Sequence, residues 1–302
     1  MNIVPPKPLT MLSTDVPENQ HTEYASATNY SLNDRVYVTL ESDATTERTP
    51  HKIYESLGDS NQGNYPPDSP LNWLDIGATN RWKMLDNSVG SQTVQATSMT
   101  VTVQAKYVDT LALLNLQGDS VRVRLLDAAD QVLSDDTHDL SVHESGSWSD
   151  YFFGDFVYRN SLVLPINGLY ATVKIEVTLT GEQCAIGHLL AGRAIWLGGT
   201  RWDAWLGITD YSIKDTNDFG ETYLTKRGYG NSLDVDVWIE SGSVDRVHRT
   251  LADLRATPVL WQANNDETIY ESLILFGWYR DFQQVLPGPK YSICSLNLEG
   301  LT

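Results

Sequence analysis

The sequence predicts an all-β protein: a jelly-roll β-sandwich domain, followed by a second β-sandwich domain that carries one short α-helix. Two observations lead to this fold class. Apolar residues alternate with polar ones at the two-residue period of strands in most patterned stretches, and only one stretch has helical spacing. Aromatic residues, which favour strands, are abundant, with nine Trp and fifteen Tyr among 302 residues.

We expect three units along the chain. Residues 1–88 form an extended arm and a small aromatic-rich β module, residues 89–199 the jelly roll, and residues 200–302 the helix-bearing sandwich. The arm is predicted from VPPKP at residues 4–8, which cannot form a helix. The segment 187–200 is glycine-rich, and a new set of strands begins after Gly198–Gly199, which puts the second boundary near Thr200.

Three stretches predict strands of the jelly roll. Residues 92–105 alternate with one slip near Ser98, which a β-bulge would absorb. Residues 119–133 have the pattern of a hairpin with its turn at residues 127–130. Residues 171–179 alternate most regularly, so we expect one buried and one solvent-facing side.

The C-terminal unit contains the one predicted helix, at about residues 243–256. Residues 233–239 precede it and alternate as a strand. Ser243 stands at the N-cap position, and Pro258 favours extended geometry in the residue before it, which ends the helix. The apolar stripe of the helix is Val244, Val247, Leu251 and Leu254. We expect this stripe to pack on a mostly antiparallel sheet whose further strands lie at residues 259–261, 270–281 and 291–298.

Charge and hydropathy exclude two classes of partner. The net charge is −18 and no Lys/Arg cluster is evident, so contact with nucleic-acid phosphates would be repulsive. No stretch approaches eighteen apolar residues, which excludes membrane insertion by a helix. The first residues have no basic segment followed by an apolar one, so we expect a soluble protein synthesised in a host cytoplasm.

Motifs that carry chemistry are absent from the sequence. It has no G-x-S-x-G elbow, no phosphate loop and no dinucleotide fingerprint. Cys184 and Cys294 are far apart, so neither a disulfide framework nor a zinc site is indicated. Segments that begin at Asp59 and Asp215 start like calcium loops but lack the glutamate at the twelfth position. We therefore expect no enzyme, no catalytic residue, no metal and no cofactor.

The aromatic residues of the first unit allow two interpretations. Tyr54, Trp73 and Trp82 are candidate rings for stacking on a glycan, or they form the core of a module that has few aliphatic residues. The order of Tyr30, a turn, Tyr54 and Trp73 resembles the small chitin-binding modules of hydrolases. Asn33–Asp34 stands where those modules have a Gly-Asp turn.

Several C-terminal segments carry a further resemblance. ITDYSIKDTNDFGETYLTKRGYG, LRATPVLW, ESLILFGWYRDF and CSLNLEGL resemble the C-terminal part of tail-tip and minor tail proteins of tailed bacteriophages, with weaker similarity in NWLDIGATNRWKMLD and IGHLLAG. The resemblance implies a galactose-binding-like jelly roll in the middle of the chain. It also implies a structural role in a tail tip or baseplate, location in the virion tail, and no catalytic residue.

This role implies contacts between copies of the chain and with other tail proteins. Tail tips have rotational symmetry, so we expect a homo-oligomer, either a ring or a trimer. Trp202, Trp205 and Trp238 fall outside the buried alternation and are the candidate interface residues, unless a second layer of the same domain covers them. The alternative function is binding of a host-surface glycan as a virion adhesion protein. A glycan depolymerase is a more remote alternative, because two carboxylates suffice for that reaction.

Overall fold

The computed structural model describes residues 1–39, 51–142, 157–263, 271–286 and 290–301. Within these ranges the protein is all-β, with several largely antiparallel sheets and a single α-helix, α1 (Val244–Asp253), so the predicted fold class is confirmed. None of the helices in these ranges has the length and apolar composition needed to cross a membrane.

The strands are numbered in chain order. The first six are β1 (Asn2–Val4), β2 (Thr10–Thr14), β3 (Thr22–Glu23), β4 (Arg35–Val38), β5 (Lys52–Ser56) and β6 (Trp73–Ala78). The next ten are β7 (Thr93–Ala105), β8 (Thr110–Gln117), β9 (Ser120–Leu126), β10 (Val132–Asp139), β11 (Ser141–Val142), β12 (Val157–Tyr158), β13 (Ser161–Pro165), β14 (Val173–Gly192), β15 (Ile195–Trp196) and β16 (Gly199–Thr200). The last seven are β17 (Trp205–Asp210), β18 (Ile213–Thr216), β19 (Thr222–Thr225), β20 (Tyr229–Glu240), β21 (Val259–Gln262), β22 (Ile274–Val285) and β23 (Tyr291–Gly300). Short 3-10 turns lie at Pro66–Asp68, Lys83–Leu85, Ser241–Ser243 and Glu271–Leu273.

The middle of the chain folds around the long strand β14. The strand order is β10-β9-β14-β7-β2. Strand β8 also pairs with β14, and β13 pairs with β8. β14 pairs with β9 over its first half and with β8 over its second half. A bulge separates the two halves, where Thr180 pairs with Ser98 and Gln183 with Ala96, so the bulge expected near Ser98 is present. Side chains from both halves meet in one core.

Much of the glycine-rich segment before the predicted boundary is strand. β14 continues to Gly192 because its glycines allow other chain segments to approach closely. A Cβ on Gly187 would lie 2.6 Å from the carbonyl oxygen of Val89, and one on Gly192 would lie 2.3 Å from that of Pro5. Each glycine therefore marks a contact between chain segments.

The C-terminal part is one sheet with the order β15-β1-β21-β22-β23-β20-β16, and β17 also pairs with β20. The alternation predicted for residues 233–239 is confirmed, since Leu233, Val235, Val237 and Ile239 are all buried in β20. Helix α1 packs on this buried face through Val247 and Leu251, with the other two residues of its stripe, Val244 and Leu254, partly buried. Ser243 is at the N-cap position, but its side chain makes no capping hydrogen bond.

The N-terminal segment is divided among the sheets, which corrects its assignment to one unit. β1 lies between β15 and β21 in the C-terminal sheet, and β2 pairs with β7 in the middle of the chain. Only β3 to β6 form a small separate sheet. The predicted arm therefore lies on its own chain. The two large sheets meet through an apolar layer made of Val4, Ala112, Leu114, Val163, Leu190, Leu260 and Phe276.

Candidate assembly surface

The three rings proposed to stack on a glycan lie in protein cores. Tyr54, Trp73 and Trp82 are only 6%, 2% and 3% exposed. Trp73 packs edge-on against Tyr30 with ring centroids 5.2 Å apart, and its indole N–H donates to the Asn64 carbonyl at 2.9 Å. The stacking hypothesis for these residues is therefore corrected. Tyr54 and Trp73 form the core of the small sheet, which has few aliphatic residues, and Trp82 is part of the large core in the middle of the chain.

The three tryptophans proposed for the interface are all exposed. Trp202 is 82% exposed, Trp205 76% and Trp238 51%. Trp238 stacks on Tyr291, with ring centroids 4.9 Å apart and an interplanar angle of 21°. No second layer among the described residues covers them, so they are available to a partner. Their role in an interface remains a prediction.

A long β-hairpin, residues 205–229, extends from the C-terminal sheet. β17 pairs with the start of β20, from Trp205 opposite Asp234 to Asp210 opposite Tyr229. Farther out, β18 and β19 pair only with each other. At the tip, the side-chain oxygen of Asn217 accepts hydrogen bonds from the Phe219 and Glu221 amides at 3.1 and 2.8 Å. The hairpin is thus ordered by its own hydrogen bonds.

Large hydrophobic side chains are concentrated on and beside this hairpin. Nine of them between residues 202 and 229 are more than half exposed, compared with six in the rest of the described chain. The nine are Trp202, Trp205, Leu206, Ile208, Tyr211, Phe219, Tyr223, Leu224 and Tyr229. A concentration of exposed apolar side chains of this kind is typical of an interaction site. The resemblance to tail proteins rested in part on this segment. Exposure was predicted for Trp202 and Trp205 but not for the other apolar residues of the hairpin.

Strand β17 also has a free edge. It pairs with β20 on one side, and no strand in the described ranges pairs with its other side. Its sequence, WLGITD, contains neither proline nor lysine, the residues that commonly block edge-to-edge association. All six residues are exposed. The backbone of β17 is therefore open to pairing with another chain.

A polar groove of about 400 Å³ lies beside the base of the hairpin. Its floor is the outward face of three neighbouring strands, β20, β23 and β22. The strand register places Asp234 and Asp281 on either side of Asn297, and Asp236 opposite Ser295. Asp203 and Trp205 form part of its wall. We call this feature the acidic groove.

Hydrogen bonds hold part of the acidic groove in place. The Asn297 amide donates to Asp234, and the Ser295 hydroxyl donates to Asp236 at 2.6 Å. Arg201 donates to the other oxygen of Asp236 at 3.1 Å. By contrast, Asp203 and Asp281 form no salt bridge with any residue in the described ranges. The groove therefore presents unneutralised negative charge. The sequence contained a signal for it, because Asp234 and Asp236 share a face with Trp238 in an alternating strand.

Both cysteine thiols and the His188 imidazole are buried. Cys184 and Cys294 are free and buried, and burial followed by the charge of Asp236 raises the pKa of the Cys294 thiol to about 11. His188 lies against Phe276 at a centroid distance of 4.6 Å, and neither ring nitrogen has a hydrogen-bond partner. Burial lowers its pKa to about 4, an effect that the nearby Met84 backbone partly offsets. No cluster of possible metal ligands occurs in the part of the chain that the structure describes.

Comparisons with known proteins assign no family to this chain. No protein-family model matches the chain, and no curated protein matches it significantly. Among solved structures, the chain is similar to the lectin domain of lectinolysin complexed with Lewis B antigen, at 17% sequence identity and a TM-score of 0.25. The match covers 37% of this chain and 82% of that one. At this TM-score the similarity carries no argument about function.

Proposed function

We propose that this protein is a non-enzymatic structural subunit that assembles with copies of itself into a closed ring or trimer in a bacteriophage tail tip or baseplate. The observation that carries the proposal is the hairpin at residues 205–229. Among the described residues, more than half of the large hydrophobic side chains that are over 50% exposed lie on or beside it. Neither large hydrophobic core includes a side chain of this hairpin. Its exposed apolar side chains therefore contribute to neither core, which supports a role for them in contact with another chain.

A second copy of the same chain is the partner that this surface fits. Strand β17 has an unpaired edge in the described ranges, and β18 and β19 pair there with no strand outside the hairpin, so both are open to a neighbour. An element on one subunit and an acceptor elsewhere on the next make a heterologous contact, and such contacts form a ring when the rotation between neighbours closes. The resemblance of this segment to tail-tip proteins supports the virion tail as the location, with other tail proteins as further neighbours.

Self-assembly is tested by native mass spectrometry and light scattering of the full chain at about 10 μM, a concentration at which micromolar affinity suffices. We expect a single closed oligomer. The triple variant Trp205→Ser, Ile208→Ser, Leu224→Ser removes exposed apolar side chains and should be monomeric with unchanged circular dichroism. Leu71→Ser is the matched control, because Leu71 is 90% exposed but lies outside the hairpin. A monomeric parent, or a triple variant that assembles normally, contradicts the proposal.

Location is tested by immunogold electron microscopy of virions that carry the chain. Gold particles should lie at the end of the tail. Labelling of the head, or no labelling of intact or disrupted particles, contradicts a tail-tip role.

Host-glycan binding is the second candidate function, and one observation favours it. Trp238 and Tyr291 form a stacked, partly exposed pair on the outward face of the sheet, close to the carboxylate of Asp236. Sugar rings stack on such aromatic faces, and carboxylates accept hydrogen bonds from their hydroxyls. A glycan array should then show binding that Trp238→Ala abolishes and that Leu71→Ser leaves intact. An array without any bound glycan excludes this candidate.

A further inference from the structure

The small sheet, β3 to β6, is an insertion between two paired strands. In sequence it lies between β2 and β7, which pair with each other in the middle of the chain. Among the described residues, Ala78 at the end of β6 is the only member of its strands that belongs to the core around β14. The small sheet has a separate core, which consists of Tyr30, Val36, Val38, Tyr54 and Trp73. The chain enters this sheet through residues 15–21 and leaves it through residues 79–92, which we call the entry and exit connectors.

Both connectors are anchored on the core around β14. Val16 of the entry connector is buried in that core, together with Trp82 and Met84 of the exit connector. The Asp15 amide donates to the Thr100 carbonyl at 3.2 Å, and the Thr100 amide donates to the Asp15 carboxylate at 2.8 Å. The connectors thus begin and end at fixed points, and the position of the small sheet depends on contacts beyond these anchors.

Glu18 joins the two connectors and the small sheet at one point. Its side chain is only 10% exposed. Nδ1 of His51, directly before β5, donates to its two carboxylate oxygens at 3.0 and 2.9 Å. From the exit connector, the Thr79 hydroxyl donates to Oε1, and the Arg81 guanidinium lies 3.8 Å from Oε2. Hydrogen bonds to a charged group are stronger than those between neutral groups. We call these four residues the Glu18 clasp.

The His51 ring continues this contact between the small sheet and the core around β14. It packs against Trp82 of that core, with ring centroids 4.8 Å apart, and stacks on Tyr37 of β4 at 6.3 Å and an interplanar angle of 10°. The Thr79 amide also donates to the His51 carbonyl at 2.9 Å. His51 therefore contacts groups on both sides of the connection, and its bond to Glu18 holds the ring in this position.

We propose that the Glu18 clasp is an acid-sensitive device: the charged carboxylate fixes the small sheet on the middle of the chain, and protonation lets the sheet move on its connectors while both cores stay folded. The separate core of the small sheet is the reason that it can move as a unit. This inference is independent of the proposed self-assembly, because none of the four residues belongs to the hairpin at residues 205–229.

The surroundings of Glu18 give the direction of the pH dependence. Burial raises its pKa, but the hydrogen bonds that it accepts and the charges of His51 and Arg81 outweigh burial, so the pKa lies below its ordinary value. Tyr37 and His21 are the other titratable residues at the small pocket that Glu18 lines. A carboxyl with a lowered folded pKa stabilises the contact above its ordinary pKa of about 4.3, and this stabilisation is lost as the pH falls through the folded value. The clasp is therefore closed at neutral pH and opens in acid.

The test is hydrogen exchange of the full chain at pH 7 with Glu18→Gln, which removes the charge and nearly keeps the shape. Peptides that cover residues 79–83 should exchange about tenfold faster or more, the change expected for loss of hydrogen bonds to a charged group. Peptides from β4, β5 and β7 should keep their protection. Glu55→Gln is the matched control, because Glu55 pairs with Arg35 at 2.7 Å and both residues lie within the small sheet.

Two further measurements extend the test. His51→Phe keeps an aromatic ring beside Trp82 and removes Nδ1, so it should reproduce the effect of Glu18→Gln. As the pH falls from 5 to 3, exchange of residues 79–83 in the parent, corrected for the intrinsic rate, should approach that of Glu18→Gln. Charging of His188 acts on both proteins alike, so it does not change this comparison.

Three results would overturn the proposal. The first is equal exchange of residues 79–83 in the parent, Glu18→Gln and His51→Phe. The second is an equal loss of protection in β4 and β5, which would mean that Glu18 stabilises the fold of the small sheet itself. The third is the same increase in Glu55→Gln, which would attribute the effect to the loss of any carboxylate from this sheet.

Discussion

Replacement of Leu251 tests how helix α1 is held on the C-terminal sheet. Leu251 is fully buried in the core cluster of that sheet, together with Val247. Its carbonyl oxygen accepts a hydrogen bond from the Tyr279 hydroxyl at 2.8 Å, which ties the helix to β22. A ten-residue helix is marginal in isolation, so burial must supply most of its stability. Leu251→Ala should therefore lower the free energy of unfolding by about 3 kcal/mol, within the range for buried leucines.

Leu251→Asp should be more severe than the alanine variant. The carboxylate would lose its hydration inside an apolar cluster, so the helix detaches from the sheet or the side chain remains protonated. Tyr279→Phe should cost about 1 kcal/mol, because one hydrogen bond is lost while the ring remains. Arg249→Ala, on the exposed face of the same helix, is the matched control with an expected effect near zero.

Hydrogen exchange measured by mass spectrometry is the suitable assay, because a chain with more than one core need not unfold in a single transition. Peptides that cover α1 and β22 should lose protection in the order Leu251→Asp, Leu251→Ala, Tyr279→Phe. Peptides from β7 should change least. Equal protection of α1 in Leu251→Asp and Arg249→Ala would refute the packing argument.

Two further predictions concern other parts of the chain. Trp73→Ala should unfold the small sheet, because it removes the central ring of that core and costs about 3–5 kcal/mol, whereas Leu71→Ser should leave circular dichroism and proteolysis patterns unchanged. Stability should fall as pH drops from 6.5 towards 4, since burial holds the folded pKa of His188 at about 4 and the unfolded chain binds the proton first. The full shift corresponds to about 3 kcal/mol. His188→Leu should weaken the dependence of stability on pH between 6.5 and 4, measured by acid titrations followed by fluorescence. If the variant keeps the pH dependence of the parent, the assignment of this effect to His188 is wrong.

Features encoded in a few neighbouring residues were predictable from the sequence. The strand at residues 233–239 and the helix behind it each bury one face, so their periods of about 2 and 3.6 are visible in the residue order. The bulge beside Ser98 was predictable for the same reason, because it interrupts a regular alternation. Local pattern was sufficient in these cases because one side of each element faces the core.

Features that depend on distant partners were not predictable in this way. β1 pairs with β21, about 260 residues later, and nothing within VPPKP or its neighbours identifies that strand. Glycine by itself does not indicate a strand. Gly187 and Gly192 nevertheless lie in β14, because other chain segments pass directly above them. The aromatic rings of the small sheet were ambiguous for a related reason. The same rings serve a core or a sugar site, and only the surrounding chain decides between the two.

The apolar side chains of the hairpin are not explained by contacts within the described part of a single copy. Ile208 and Leu224 lie on strands with register partners, so their backbone geometry is settled within one copy. Their side chains nevertheless stay exposed, because the apolar layer that would cover them is not supplied by the described chain. In β20 the same kind of strand buries Val235 and Val237 against the core of its own sheet. The difference between the two strands is thus the origin of the covering layer, and in the proposed assembly a second copy of the chain supplies the cover for the hairpin.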